Sequence, residues 1–357
     1  MTMYAESKTI SIAGRKVGSG QPCFVIGEAG VNHNGNLELA RALVDVAVDA
    51  GCDAVKFQTF KPDKVCSPMT PKAAYQMDST GESQMEMARK LELSFDAFRE
   101  LHSYCRSREI IFLSTPFDYE SADFLASLPV PAFKIPSGEL TNLFFLEHMA
   151  RKGLPLIVST GMATMDEVTV GVEAIRAAGN WEMILLQCVS NYPASPSSMN
   201  LRTMKTMEKS FSVATGLSDH SEGVEIAFAA AALGASVIEK HFTLSRRLPG
   251  PDHRASLEPH ELVHLVRGIR EIESALGDGV KAPAAEELNT AEVARRSLVA
   301  SQFIPAGSLL TVEMLDILRP GTGLPPAMRN QLVGRTVQQD IEAGTVLELA
   351  MFGTRHS

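Results

Sequence analysis

PCFVIGEAGVNHNG, residues 22–35, opens as a strand fit for burial on both faces and leaves it through a glycine-punctuated turn. The turn, GEAGVNHNG (27–35), lacks the GxGxxG spacing of a dinucleotide-binding turn, and with it the best reason to expect an open doubly wound sheet. Seven more runs repeat the pattern: AVKFQTF (54–60), IIFLSTPF (110–117), AFKIPSGE (132–139), PLIVSTGM (155–162), MILLQCVSNY (183–192), SVATGLSDH (212–220) and VIEKHFT (237–243). Each begins apolar and ends polar, on Glu28, Lys56, Thr115, Lys134, Ser137, Glu139, Ser159, Ser218, His220 or His241. Amphipathic helical patterns lie between, at Leu37–Ala50 and Phe95–Arg108, and a last one from Pro259 to Leu276 precedes Gly277. Eight strands alternating with helices before residue 277 predict a (β/α)8 TIM barrel. Polar groups recurring at strand ends do nothing for stability, whereas the C-terminal strand ends are where such barrels build active sites. The chain reads as an enzyme.

With 357 residues there is room for one barrel of about 250 residues and a small second domain. Residues 1–280 are assigned to the barrel, 281–293 to a polar linker and 294–357 to a small β domain. The tail carries an internal repeat: QFIPAGSLL (302–310) returns as QDIEAGTVL (339–347), with Met314-Leu315 matching Met351-Phe352. Two β-turn-β copies with Ala-Gly turns suggest tight hairpins in a pseudo-symmetric β domain. Residues 63–93, between the second and third runs, form a long loop that reads as a lid over the active face, with a disordered insertion as the alternative.

Hydrophobic residues make up 45% and charged residues 21%, a globular balance. A net charge of −9 argues against a nucleic-acid or anionic-membrane surface, though not against a small anion held by a few lysines. Five cysteines without a CxxC pair read as buried hydrophobes and suit a reducing cytoplasm. The N-terminus has no signal-peptide pattern, and no run reaches transmembrane length.

His220 and His241 end consecutive strands, so a closed barrel sets them side by side. Two neutral imidazoles there suit a borderline divalent cation such as Mn²⁺, Co²⁺ or Zn²⁺; the alternative is a pair of hydrogen-bonded structural histidines. Asp219 and Glu239 beside them are either supporting partners of that site or outward-facing salt-bridge residues. Buried Lys56 and Lys134 are costly without an anion, and with Thr115, Ser137, Ser159 and Ser218 they form a cradle for a phosphate and a carboxylate. The alternatives are lysines paired with Glu28 or Glu139, or a Schiff-base lysine. Glu28 and Glu139 are themselves candidates for proton transfer. The Asn32–Gly35 turn carries little weight alone.

Ten motifs in order, GEAGVNHNG, VKFQT, FLSTPFD, FKIPSGE, STGMAT, YPA, GLSDH, EKHFT, GPDH with ASLEP, and LRPGTG, together resemble the bacterial sialic acid (nonulosonate) synthases over residues 20–352. The tail resembles that family's antifreeze-like SAF domain. The resemblance implies that phosphoenolpyruvate condenses with an N-acylated mannosamine, giving a nine-carbon 2-keto acid and phosphate. It implies His220 and His241 as ligands of Mn²⁺, or of Mg²⁺ or Co²⁺, and Glu28 and Glu139 as acid and base. Phosphoenolpyruvate would be held by Lys56, Thr115, Lys134, Ser137, Ser159 and Ser218. Ser190 stands where some members have asparagine and is kept for the same role. Gln58, Tyr192 and Asp252 match sugar-contacting positions. Arg319 matches an arginine contributed by the partner subunit in a domain-swapped homodimer; on its own it would read as an interdomain salt bridge. GPDH with RASLEP resembles the neuraminate and legionaminate synthases more than the pseudaminate branch; N-acetylmannosamine is the first reading of the substrate, with 2,4-diacetamido-2,4,6-trideoxymannose, the legionaminate precursor, as the alternative. A Schiff-base aldolase, a synthase acting on a sugar phosphate, and an ice- or carbohydrate-binding module are the rivals.

Overall fold

The computed structural model describes residues 9–67, 70–72 and 82–355. The chain divides into two compact units, Met1–Gly277 and Asp278–Ser357.

The first unit opens with a hairpin of β1 (Ile10–Ile12) and β2 (Arg15–Val17). Eight parallel strands follow: β3 (Phe24–Gly30), β4 (Ala54–Thr59), β5 (Ile111–Pro116), β6 (Phe133–Ile135), β7 (Leu156–Ser159), β8 (Met183–Cys188), β9 (Ala214–Asp219) and β10 (Val237–His241). Their order is β5-β4-β3-β10-β9-β8-β7-β6, and β5 lies beside β6, so the sheet curls into a nearly closed barrel. This is the TIM-like fold that the alternating pattern predicts. Nearly every strand residue is buried, as expected where lumen and helices cover both faces.

The two-residue period sorts the lumen by height. Phe24, Ile26, Ala54, Leu113, Ala132, Ile157, Ile184, Ala214 and Val237 pack together low in the barrel, joined by Ile10, Ile12 and Val17 of the hairpin. The hairpin therefore plugs the N-terminal end. One step further along the same inward rows stand Glu28, Lys56, Thr115, Lys134, Ser159, Ser218 and Glu239, all buried. The outward rows pack on the helices in a separate, larger apolar cluster.

The expected helices form at Leu37–Asp49, Phe95–Ser107 and Pro259–Leu276. Asn36 caps the first through Glu38 N and Leu39 N, and Gly277 ends the last at φ +60°. The long loop contributes helices Pro62–Val65 and Gln84–Leu91, the latter with a Ser83/Glu86 capping box. The lid expected across 63–93 falls partly on residues 68–69 and 73–81, which lie outside the described residues.

In the second unit β11 (Ser297–Ala300) pairs with β12 (Leu315–Leu318), and β13 (Arg335–Val337) with β14 (Phe352–Arg355). The repeat's two copies do not each close a tight hairpin. Ile304 pairs with Ile341, its own counterpart, with hydrogen bonds of 2.8 and 2.9 Å. The copies thus pair across a local two-fold, which buries Ile304, Ile341, Leu310 and Leu347 together. Gly307 and Gly344 both turn at φ +83°, as the Ala-Gly turns require. The segment expected as linker ends in a short helix, Leu288–Ala294, that runs into the tail. No helix among the described residues is long and apolar enough to cross a membrane.

Candidate active site

A cavity of about 410 Å³ opens at the C-terminal end of the barrel. Its floor is a ring of charge. Lys56 Nζ lies 2.5 Å from Glu28 Oε2 and donates to Thr115 Oγ1 at 2.8 Å. Lys134 Nζ donates to Ser159 Oγ at 2.7 Å and to the Ile135 carbonyl at 3.1 Å. Between the lysines stands Glu239, 3.7 Å from each, accepting from Ser218 Oγ at 2.8 Å. Gln58 Nε2 donates to Glu28 Oε1 at 3.2 Å.

Burial sets how these groups titrate. It raises the Glu28 carboxyl to about 7, with Glu239 adding repulsion that Lys56 only partly offsets. Burial pushes Glu239 the same way, but Lys134, Lys56 and the Ser218 hydroxyl overcome it and hold that carboxyl at about 2. Burial lowers Lys134, whereas Lys56 is raised against burial by Glu239 and Glu28. The floor therefore sets two lysines around one firm carboxylate and one carboxyl that titrates near 7, an arrangement that suits an anion.

Beside this floor the imidazoles of His220 and His241 stand with ring centroids 5.4 Å apart, and the Tyr192 ring lies 4.0 Å from that of His220. The Val189 carbonyl accepts a hydrogen bond from His220 Nδ1 at 2.8 Å, which leaves Nε2 to face a ligand. His241 is held well below its usual pKa by burial and by His220, so it stays neutral. Its Nδ1 is buried without a hydrogen-bond partner among the described residues. Against burial, Cys188 and the Val189 carbonyl raise His220, so a cation would have to displace its proton; the open nitrogens of the two imidazoles then fit a divalent ion. No group of three or more His, Cys, Asp or Glu suited to a metal occurs among the described residues, so water or substrate would complete the coordination. Asp252 lines the same cavity, its carboxyl raised to about 6 by burial.

Two glycines make room. Gly30 sits at φ +54° beside a register shift in β3, and a Cβ there would lie 3.3 Å from Glu28 Oε1, 3.3 Å from His241 Cε1 and 3.4 Å from Gln58 Nε2. At Gly161 a Cβ would meet Ser190 Oγ at 2.4 Å and Ser137 Oγ at 2.8 Å. Its bare backbone lets Gly161 N donate to Ser137 Oγ at 3.0 Å, grouping three donors near Ser159.

Of the residues singled out in the sequence, Glu28, Lys56, Gln58, Thr115, Lys134, Ser137, Ser159, Ser190, Tyr192, Ser218, His220, His241 and Asp252 all line this cavity. Glu139 does not. It lines a neighbouring cavity that shares Val65 and Phe117, and it accepts from Asn142 Nδ2 at 2.7 Å. Arg319 is exposed in the second unit, just after β12.

Glu239 is the main residue that reading the sequence left unassigned. Two-residue spacing from His241 already puts it inward, while Asp219, one residue after inward Ser218, faces out and pairs with Lys240 at 2.8 Å. The Asn32–Gly35 turn was also undervalued. Asn32 Nδ2 donates to the Phe242 carbonyl at 2.8 Å and to Ser256 Oγ at 3.0 Å, and His253 Nδ1 lies 2.6 Å from Thr243 Oγ1. These bonds tie the loops after the first and last barrel strands and fix the segment that carries Asp252.

The described cysteines are all free, and four of the five are buried.

Comparison with known proteins gives the family. The NeuB family matches residues 43–281 and the SAF domain residues 295–353. The chain is 46% identical to the N,N′-diacetyllegionaminic acid synthase of Legionella pneumophila, over 92% of this chain and 94% of that one. It is 38% identical to the human N-acetylneuraminate-9-phosphate synthase, over 94% of each. Among solved structures it resembles the N-acetylneuraminic acid synthetase of Leptospira borgpetersenii in complex with citrate, with TM-score 0.70 and 34% identity over 80% of this chain and 95% of that one. The chain is a member of the NeuB family, an enzyme whose barrel is followed by a SAF domain.

Proposed function

We propose that the chain is an N,N′-diacetyllegionaminate synthase, which condenses phosphoenolpyruvate with 2,4-diacetamido-2,4,6-trideoxymannose to give the nine-carbon 2-keto acid and phosphate. The reaction class follows from the family, whose members are phosphoenolpyruvate-dependent nonulosonate synthases. The observation that carries the sugar is the higher identity to the legionaminic acid enzyme, 46% against 38% for the human N-acetylneuraminate-9-phosphate synthase. This reverses the order of the two substrates expected from the sequence. The cavity wall supports it: Val31, Phe60, Met87, Ala88, Leu91 and Phe117 offer apolar surface to a 6-deoxy carbon and a second acetamido methyl.

In this reading Lys56 and Lys134, with the hydroxyls of Thr115, Ser137, Ser159, Ser190 and Ser218, hold the phosphate and carboxylate of phosphoenolpyruvate on the floor. His220 and His241 would hold a divalent ion, Mn²⁺ or alternatively Mg²⁺ or Co²⁺; when bound it polarises the sugar aldehyde. Carbon 3 of phosphoenolpyruvate forms the new bond to the aldehyde carbon while protonated Glu28 gives its proton to the aldehyde oxygen. Water then adds at carbon 2 and returns a proton to Glu28. The carbon 2–oxygen bond to phosphate breaks, and the new hydroxyl's proton leaves with the phosphate. Glu28 serves both transfers because Glu139 lies outside the cavity lining. Gln58, Tyr192 and Asp252 face the sugar. Arg319 and a homodimer that exchanges second units rest on the family pattern, and the free thiols suit the cytoplasm.

The test is phosphate release from phosphoenolpyruvate with Mn²⁺ and each sugar in turn. Faster release with the diacetamido sugar is expected. Faster release with N-acetylmannosamine overturns the sugar assignment, and silence with both in folded, metal-loaded enzyme overturns the reaction.

A further inference from the structure

Asp219 and Lys240 are register partners on β9 and β10 and point away from the lumen. Their ion pair is sealed from water, with side chains 0% and 1% exposed, in an outer layer otherwise lined here by Leu217 and Ile238. A buried ion pair is roughly break-even against apolar packing, so stability alone is a weak reason to keep one. This pair reaches further. Lys240 Nζ donates to the Ser221 carbonyl at 2.6 Å, while Asp219 Oδ1 accepts from Ser221 N at 2.9 Å and Ser221 Oγ at 2.6 Å. The residue enclosed by that clamp is His220, whose own carbonyl accepts from Ala194 N at 2.8 Å. The other end of the clamp is the residue next to His241.

We propose that Asp219 and Lys240 are positioning residues for the two imidazoles. They lock the chain on both sides of His220 and tie it to the strand carrying His241, so the pair is set before any cation arrives. The proposal rests on reading His220 and His241 as cation ligands. Groups that orient metal ligands typically change affinity 10–100-fold when removed.

The experiment is Mn²⁺ titration of the full chain by calorimetry, alongside thermal melting, for wild type, Lys240→Met, the charge-balanced double variant Lys240→Met/Asp219→Asn, and Ser221→Ala. Lys240→Met should both melt lower and bind Mn²⁺ at least about 10-fold more weakly. The double variant should recover its melting temperature but not its affinity, and Ser221→Ala should fall between. Affinity that recovers together with melting temperature in the double variant, or wild-type affinity throughout, overturns the proposal. Should Lys240→Met fail to fold, the other two variants decide. His220→Ala separates the two claims. If it binds Mn²⁺ as tightly as wild type, the ligand reading falls and takes this proposal with it. If it loses Mn²⁺ while the clamp variants keep it, only the proposal falls.

Discussion

In the proposed reaction Glu28 moves the proton because its surroundings keep it undecided. Burial and Glu239 push its carboxyl up to about 7 while Lys56 pulls the other way. An acid must be protonated to act, so turnover should fall as pH rises through about 7 and Glu28 ionises. Glu28→Gln should cost ~10²–10⁴-fold in kcat at neutral pH with little change in melting temperature. In Glu239→Gln the loss of the repelling charge lowers the Glu28 pKa, so the alkaline limb should move to lower pH. A kcat–pH profile of all three forms tests this, and an unmoved limb in Glu239→Gln would take the titration away from Glu28. The same carboxylates mark a limit of reading residues singly. Lys56 and Glu28 stand out in the sequence as charges at strand ends. That Glu239 divides the two lysines emerges only when β4, β6 and β10 converge.

Among the elements, β3 is the one shaped for the site rather than for the sheet. Its register shift and the left-handed Gly30 let Glu28, Gln58 and His241 crowd one point. Gly30→Ala should cost about 1–2 kcal/mol in stability from the positive φ alone. The Cβ contacts should lower kcat well beyond what that instability explains. Melting curves and initial rates separate the two effects, and wild-type turnover in a folded Gly30→Ala enzyme would show the space is not needed. The helices were legible because apolar spacing, Asn36 and Pro259 write their limits locally. The repeat in the tail was legible as a repeat but not in its pairing. Turn residues specify a bend, while which strand lies opposite depends on the other copy thirty-odd residues away.

For the whole molecule, the alternation of eight runs was enough for the barrel because each strand obeys the same rule of apolar start and polar end. Glu139 shows where that rule stops: it follows β6 on a 3-10 turn, so strand period no longer governs where it points. The proposed exchange of second units has a direct test in mixed oligomers. Arg319→Ala and His220→Ala should each be nearly inactive alone, the first through a raised KM for the sugar. Mixed and allowed to exchange, they should regain activity, because one barrel in each hybrid then meets an intact His220 and the partner subunit's Arg319. Absence of recovery would place Arg319 in its own subunit's service or in none.

The hairpin that stoppers the lower end of the lumen makes the barrel a vessel with one door. Reactants and products share that opening. In the proposed reaction that shared opening would favour phosphoenolpyruvate reaching the lysine floor before the sugar settles above it. Such an order would be set by Ile10, Ile12 and Val17, at the end of the barrel opposite the chemistry.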